Sequence, residues 1–278
     1  MKLIIKFLNA VLVVVLTVCI IGIVFVSMAS STILEKAYIH KMIEESRYYD
    51  NLYEEIKSNF ENYIGPSGLD ENILDDICSK EDIKNDTETI IDNIYKGTGK
   101  KINTDEIKNR IIDKINKKMQ EQDDIITEKM QASIKKFAET IADEYISTIS
   151  HTEYEEQINS LYKEITKLVR LVQKALFIAV AIIVSLIIIL NIKTLYSFLL
   201  CIGTAVCSSG AFIIATYYII HSNVKIGQLK ILNNAISLTL QNTVTDILNT
   251  TSKIGWILTI IGIILILISN VTGDVCQR

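Results

Sequence analysis

Four almost purely apolar stretches, 7–28, 175–192, 195–220 and 254–269, alternate with segments in which apolar residues recur every third or fourth position. A helix rises about 1.5 Å per residue and the hydrocarbon core of a bilayer is about 30 Å thick, so roughly 20 uncharged residues cross it. None of the four stretches contains Asp, Glu, Lys, Arg or His. They predict four transmembrane helices without the ionisable groups that mark proton and ion pathways.

Between the first two stretches the pattern is helical. Over 32–64 the residues Tyr49, Tyr53, Ile56, Phe60 and Tyr63 fall on one face, and the helix is expected to continue from the first span. Gly65-Pro66-Ser67-Gly68 ends it, because proline lacks an amide donor and glycine tolerates positive φ. A short helix is expected over 69–77. Another opens at Ser79-Lys80-Glu81-Asp82, runs to about Tyr95 and breaks at Gly97-Thr98-Gly99. Asn103 followed by Glu106 reads as a capping box. It would start one long helix with the stripe Ile107, Ile111, Ile115, Met119, Ile126, Met130, Ile134, Phe137, Ile141 and Tyr145. Thr152 and Glu155 read as a second box, from which Tyr154, Ile158, Leu161, Ile165 and Leu168 lead without a breaker into the second span.

Over 224–249 a helix with Leu229, Leu232, Ile236, Leu240, Val244 and Ile247 on one face carries Asn, Gln, Thr and Ser on the other. It is expected either to pack against the base of the preceding polar block or to lie along the membrane surface. No strand alternation occurs, so the predicted fold class is all-α. The expected domains are a signal anchor and first span (1–30), an acidic helical extracytoplasmic domain (31–173), the second and third spans (174–192 and 195–221), an amphipathic outer helix (222–253), the fourth span (254–270) and a cytoplasmic tail (271–278).

Charge sharpens this division. Residues 31–170 hold 30 of the 32 acids and 20 of the 28 Lys and Arg, which leaves the block ten charges negative. An acidic surface lacks the basic footprint of nucleic-acid binding, so no nucleic-acid partner is expected. Ile makes up roughly a fifth of the chain, Lys and Asn are frequent, and Pro66 is the sole proline. In this composition and in span order the chain resembles uncharacterised multi-pass envelope proteins of low-GC Gram-positive bacteria. The resemblance implies a bacterial plasma-membrane location and transfers no functional residue.

Lys2 and Lys6 before the first span place the amino terminus in the cytoplasm and residues 31–173 outside. Ser27-Met28-Ala29 fits a signal-peptidase site, but the apolar run exceeds the 7–15 residues of a signal core, which favours a retained anchor. The cationic flanks pull the other way. Lys36, Lys41, Lys163, Lys167, Arg170, Lys174, Lys225, Lys230 and Lys253 would lie outside, against Lys2, Lys6, Lys193 and Arg278 inside. Long segments translocate largely regardless of charge and the first helix usually dominates, so the outward orientation is kept. The cytoplasmic side then holds about six leading residues, a turn at 191–194 and a short tail, and a signal would have to pass laterally to another membrane protein.

Candidate chemistry is sparse. Gly203, Cys207, Ala211 and Ala215 recur every four residues in the third span, and Gly255, Gly262 and Ser269 every seven in the fourth. Small residues in a row let helix backbones approach closely, so these positions are read as a helix-packing or oligomer interface. Thr204, Ser208, Ser209 and Thr216 would supply a polar, uncharged pore lining. Gly97-Thr98-Gly99-Lys100-Lys101 lacks the glycine gap and the hydroxyl residue of a phosphate loop, and reads as a turn. The acids at Asp75-Asp76 and Glu81-Asp82 lack calcium-loop spacing. His40 and His151 belong to no nucleophilic constellation, and the five cysteines, Cys19, Cys78, Cys201, Cys207 and Cys276, show no metal-ligand spacing outside the spans. No catalytic residue, cofactor or metal is assigned. The expected role is non-enzymatic assembly, scaffolding or sensing, with membrane lipid and a membrane-protein partner or a second copy as partners. The alternative is a transport or pore-forming component built on the third and fourth spans.

Overall fold

The computed structural model describes residues 2–67, 69, 71–75, 77–122, 126–150, 155–192, 194–230 and 233–277. Among these it contains nine α-helices, short 3-10 turns and no strand, an all-α fold. Four helices are long and apolar enough to cross a membrane: α1 (Lys2–Ser31), α7 (Glu155–Leu190), α8 (Leu195–Asn223) and α9 (Asn234–Gln277). Those four helices mark the chain as a multi-pass membrane protein. With 36 and 44 residues, α7 and α9 are longer than a bilayer core requires. In α7 every charged residue falls within 155–174 and none within 175–190.

The chain divides into two compact units. The first comprises Met1–Tyr38, Glu164–Leu229 and Gln241–Arg278, the second Ile39–Lys163 and Lys230–Leu240. In the first, α1 packs along α8, with Leu16, Cys19, Ile183, Ile187 and Ala205 forming a buried cluster. The second is built from α2 (Lys36–Glu45), which begins just before it, α3 (Tyr48–Ser67), α4 (Lys80–Lys96), α5 (Asp105–Glu121), α6 (Glu128–Ile149) and the first turns of α7 and of α9. Their inward faces carry Leu52, Ile56, Ile83, Ile111, Ile141 and Tyr145, all fully buried. Burying each such side chain contributes about 1.5–3 kcal/mol relative to exposure.

Local signals explain several boundaries. Ser79 caps α4 in a closed box: its Oγ accepts the Asp82 amide at 3.1 Å, and the Asp82 carboxylate accepts the Ser79 amide at 2.8 Å. Gly97 ends α4 at φ 67°, in the left-handed region open to glycine, with its amide donating to Asn93 O at 2.9 Å. The helix expected to stop at 64 runs on through Gly65 and Pro66, and α3 ends at Ser67.

Elsewhere the structure departs from the expected elements. The helix expected over 32–64 is interrupted, because the chain turns after Ser31 and turns again at Arg47, whose φ is 52°. The expected helix over 69–77 is a single 3-10 turn at Glu71–Leu74. Asn103 and Glu106 form no capping box. Thr104 precedes the first turn without a side-chain cap bond, and Asn103 Oδ1 accepts the Asp105 amide at 3.0 Å. The long stripe from Ile107 to Tyr145 is carried by two helices, α5 and α6, which fold back on each other. Thr127 starts the second of them by accepting the Met130 amide at 3.3 Å. Thr152, the cap residue of the second expected box, lies outside the described residues, and its expected partner Glu155 is the first residue of α7.

The amphipathic outer helix and the fourth span are not separate elements. Residues 226–228 form a 3-10 turn, and α9 then runs unbroken from Asn234. Its start belongs to the second unit: Ala235 lies in the core, Asn233 Nδ2 donates to Thr148 O at 3.1 Å, and the Asn234 amide donates to Glu55 at 3.2 Å.

Candidate functional site

In the first unit the backbones of α8 and α9 approach closely at their glycines. A Cβ added to Gly262 would lie 2.4 Å from Cys207 N, one on Gly210 would lie 2.5 Å from Gly255 O, and one on Gly203 would lie 3.0 Å from Ile266 N. The pairings run antiparallel, Gly203 with Ile266, Cys207 with Gly262 and Gly210 with Gly255. Gly255, Gly262 and Ser269 are all buried, and the Ser269 hydroxyl donates to Tyr196 O at 2.6 Å. The every-seven row of α9 therefore faces α8 along its length.

The every-four row of α8 follows the contact only at first. Gly203 and Cys207 meet α9, whereas Ala211 and Ala215 are exposed. Four residues turn a helix by 400°, so an every-four row drifts by about 40° per step, and a contact along a nearly parallel neighbour needs mixed three and four spacing. Gly210 and the buried Ile213 continue the seam in their place.

A polar clasp closes one end of this unit. Asn9 of α1 and Asn191, at the end of α7, exchange amide hydrogen bonds at 3.0 and 3.1 Å, and Asn191 also donates to Ile187 O at 2.8 Å. In an apolar setting an unpaired amide is costly, so this reciprocal pair fixes the register of its two helices. Farther along α1, Thr17 donates to Val13 O at 2.9 Å and lies 3.4 Å from Ala205 O of α8. Beside these contacts α1 and α8 leave an open groove of about 810 Å³. Its lining is mostly apolar, with Asn9, Thr17, Cys201, Thr204 and Ser208 as polar points. Cys201 and Cys207 lie on different faces of α8, one in the groove and one against Gly262.

In the second unit the polar side chains tie helices together. Arg110 of α5 holds Asp82 of α4 at 2.6 Å and also donates to Ile77 O at 3.0 Å. The guanidinium, together with bonds from Ser79, keeps the Asp82 carboxyl below the usual carboxylate range. One helical turn on, Asp86 accepts the hydroxyl of the fully buried Tyr145 at 2.7 Å. Here burial dominates and raises the Asp86 carboxyl, with Asp82 and Glu106 adding to the rise and the Tyr145 bond opposing it. Tyr145 is itself pushed far up, by burial first and then by Asp86. Burial pushes the Cys78 thiol up to about 11, so it is not a thiolate at neutral pH. Glu144 accepts from Asn59 at 3.1 Å and from Tyr63 at 2.8 Å, joining α6 to α3.

The Gly97–Lys101 segment is held by a buried asparagine. Asn93 Nδ2 donates to Lys100 O at 2.8 Å, its Oδ1 accepts the Lys100 amide at 2.9 Å and the Thr98 hydroxyl, and Asn159 of α7 donates to the Asn93 and Ile94 carbonyls at 2.8 and 2.7 Å. This is a closed turn, with the Gly97 amide turned back onto its own helix. His40 is half-buried, and His151 lies outside the described residues. Among the described residues no group of three or more His, Cys, Asp or Glu is placed to hold a metal ion.

Sequence reasoning singled out Gly203, Cys207, Gly255 and Gly262 and missed Gly210, Asn9, Asn191 and Asn93. Gly210 was available as a glycine three residues beyond Cys207, and Asn9 and Asn191 as the amides at the ends of two apolar runs. No known protein family, curated protein or solved structure matches the chain.

Proposed function

We propose that the chain is a non-enzymatic multi-pass membrane protein whose second unit mediates assembly, scaffolding or sensing with a membrane partner. The observation that supports this most is how the second unit uses its polar side chains. Asp82 with Arg110, Asp86 with Tyr145, and Glu144 with Asn59 and Tyr63 join one helix to another, and Cys78 is buried as a neutral thiol. Groups that could carry chemistry instead hold a rigid helical scaffold in shape, and a rigid surface rooted in membrane helices suits recognition. The orientation belongs to the same reading. The amino terminus is cytoplasmic, the second unit faces outward, and the membrane is the plasma membrane of a bacterium, as the lysines before the first span and the compositional likeness favour.

A transport role is the second reading, favoured by the groove between α1 and α8, where Thr204 and Ser208 offer hydroxyls along an apolar wall. Its path would run there and not between the third and fourth spans, where the backbones of α8 and α9 touch.

The test is purification from gently solubilised native membranes with mass spectrometry of whatever travels with the chain. A second membrane protein in stoichiometric amount is expected. Recovery of this chain alone, together with ion or solute flux in proteoliposomes that Ser208→Leu abolishes, would overturn the interaction reading in favour of transport.

A further inference from the structure

Beyond its packed face, α7 carries a second apolar seam. Ile158, Leu161, Ile165 and Leu168 are between 39% and 58% exposed, although they lie in the charged part of the helix, ahead of the apolar run 175–190. Isolated exposed apolar residues are ordinary, but four in one line on a polar helix are not. Their spacing is three, four, three, and Val172, Ala175, Ala179, Ile182, Leu186 and Ile189 continue it to the end of α7. This is the seven-residue repeat of a coiled-coil seam, with Ile158 and Ile165 at the first apolar position of each heptad and Leu161 and Leu168 at the second.

The rest of the helix is arranged around that seam. One face beside it is taken by the chain's own contacts: Asn159 bonds the end of α4, and the Tyr162 ring lies 4.7 Å from that of Tyr95. Lys163, Lys167, Arg170 and Lys174 fall at the two heptad positions opposite the seam. A second helix approaching the seam therefore meets no cation.

We propose that a second copy of this chain covers the seam, α7 against α7, as a parallel two-stranded coiled coil that continues into the membrane. This goes beyond the interaction reading above, on which it rests only in treating the chain as one that works by contact: the homodimer would present two copies of the second unit to the separate membrane partner. Three features select the second copy as occupant. A three-four repeat fits another helix and not an irregular surface. Over 158–168, β-branched side chains at the first apolar position with leucine at the second favour two parallel strands, because the side-chain bond lies along the facing backbone at the first position and points into it at the second. Past Ala179 the order reverses, with Leu186 at the first position and Ile182 and Ile189 at the second, so the preference for two parallel strands belongs to 158–168. Finally, a second copy inserted in the same bilayer holds its own 158–168 at the same height and in the same direction, so that like positions meet about a twofold axis along the membrane normal. Inside the membrane, Ala175 and Ala179 permit the close approach that such a pair needs.

The test uses the full chain, with its five natural cysteines replaced by alanine and single cysteines placed in turn at Leu161, Ile165, Leu168, Ser160 and Lys167. After mild oxidation in isolated membranes, the cysteines at 161, 165 and 168 are expected to give a disulfide-linked band at twice the 31.3 kDa chain mass. Those at 160 and 167, on the far side of the helix, are expected to remain monomeric. Leu161→Asp combined with Leu168→Asp is expected to abolish the dimer in purified protein while leaving the helical circular dichroism intact, because both side chains are exposed. Equal linkage at all five positions, or monomer at all five, would overturn the proposal. A seam-specific band of another mass would also overturn it, while leaving the interaction reading in place with a different helix as partner.

Discussion

Asp82 and Asp86 lie one turn apart on α4 and respond to pH in opposite directions. Asp82 is held below the usual range by Arg110, so its charge stabilises the fold above the unfolded-state pKa, and that contribution is lost as pH falls through the lowered value. Asp86 is raised by burial. It favours the fold when protonated, and that contribution disappears as pH rises from the unfolded value through the raised one. Asp82→Ala is therefore expected to lower stability at neutral pH by about 1 kcal/mol, the scale of a partly exposed ion pair. Asp86→Asn keeps an acceptor for Tyr145 and removes the buried charge, so the variant should be at least as stable as the parent at pH 7. It should also flatten the weakly acidic part of the stability profile. Thermal melts of the detergent-solubilised chain from about pH 2 to pH 8 check both signs, since the Asp82 contribution is lost only below the unfolded aspartate value of about 3.9, and a loss of stability at pH 7 in Asp86→Asn would contradict the account of that site.

Among elements, the seam between α8 and α9 makes the sharpest demand. Gly262→Ala places a methyl carbon 2.4 Å from the Cys207 amide nitrogen, a backbone atom that can move only with its helix. The expected cost is about 1–3 kcal/mol, as for other overpacked sites. Gly22→Ala meets only the flexible end of Leu176, at 3.1 Å, and should change stability by about 0.5 kcal/mol or less. Equal melting temperatures for the two variants would show that the helices stand farther apart. The spans were legible because their signal is one of length and hydrophobicity alone. Half of the seam was legible too, since glycine at every seventh position in α9 has few other uses. The turn of α8 toward Gly210 was not, because a row of small residues does not state the angle at which its helix meets a neighbour. Breaks hidden inside periodic stripes were also missed. At Arg47 an ordinary residue adopts positive φ, and between α5 and α6 the stripe skips from Met119 to Ile126 with no glycine or proline to announce a turn. The joining of the outer helix (222–253) to the fourth span (254–270) is not legible in the change from polar to apolar composition at Lys253, because neither that change nor a single lysine stops a helix.

For the molecule as a whole, the apolar helices and the acidic helical unit make a protein that works from within a bilayer. Two compact units share three of their helices by chain continuity: α2, α7 and α9 each contribute residues to both. The side of the membrane on which the second unit lies then decides which partners it can meet. Cysteine labelling of intact cells addresses this most directly, with the natural cysteines replaced by alanine and single cysteines placed at Glu139 on the exposed face of α6 or at the exposed Ile192 in the turn before α8. The expected result is that a membrane-impermeant maleimide labels the cysteine at 139 in intact cells and the one at 192 only after lysis. Labelling in the reverse order would place the second unit in the cytoplasm and contradict the outward-facing reading, and release of the chain from membranes by alkaline carbonate would contradict the membrane spans themselves.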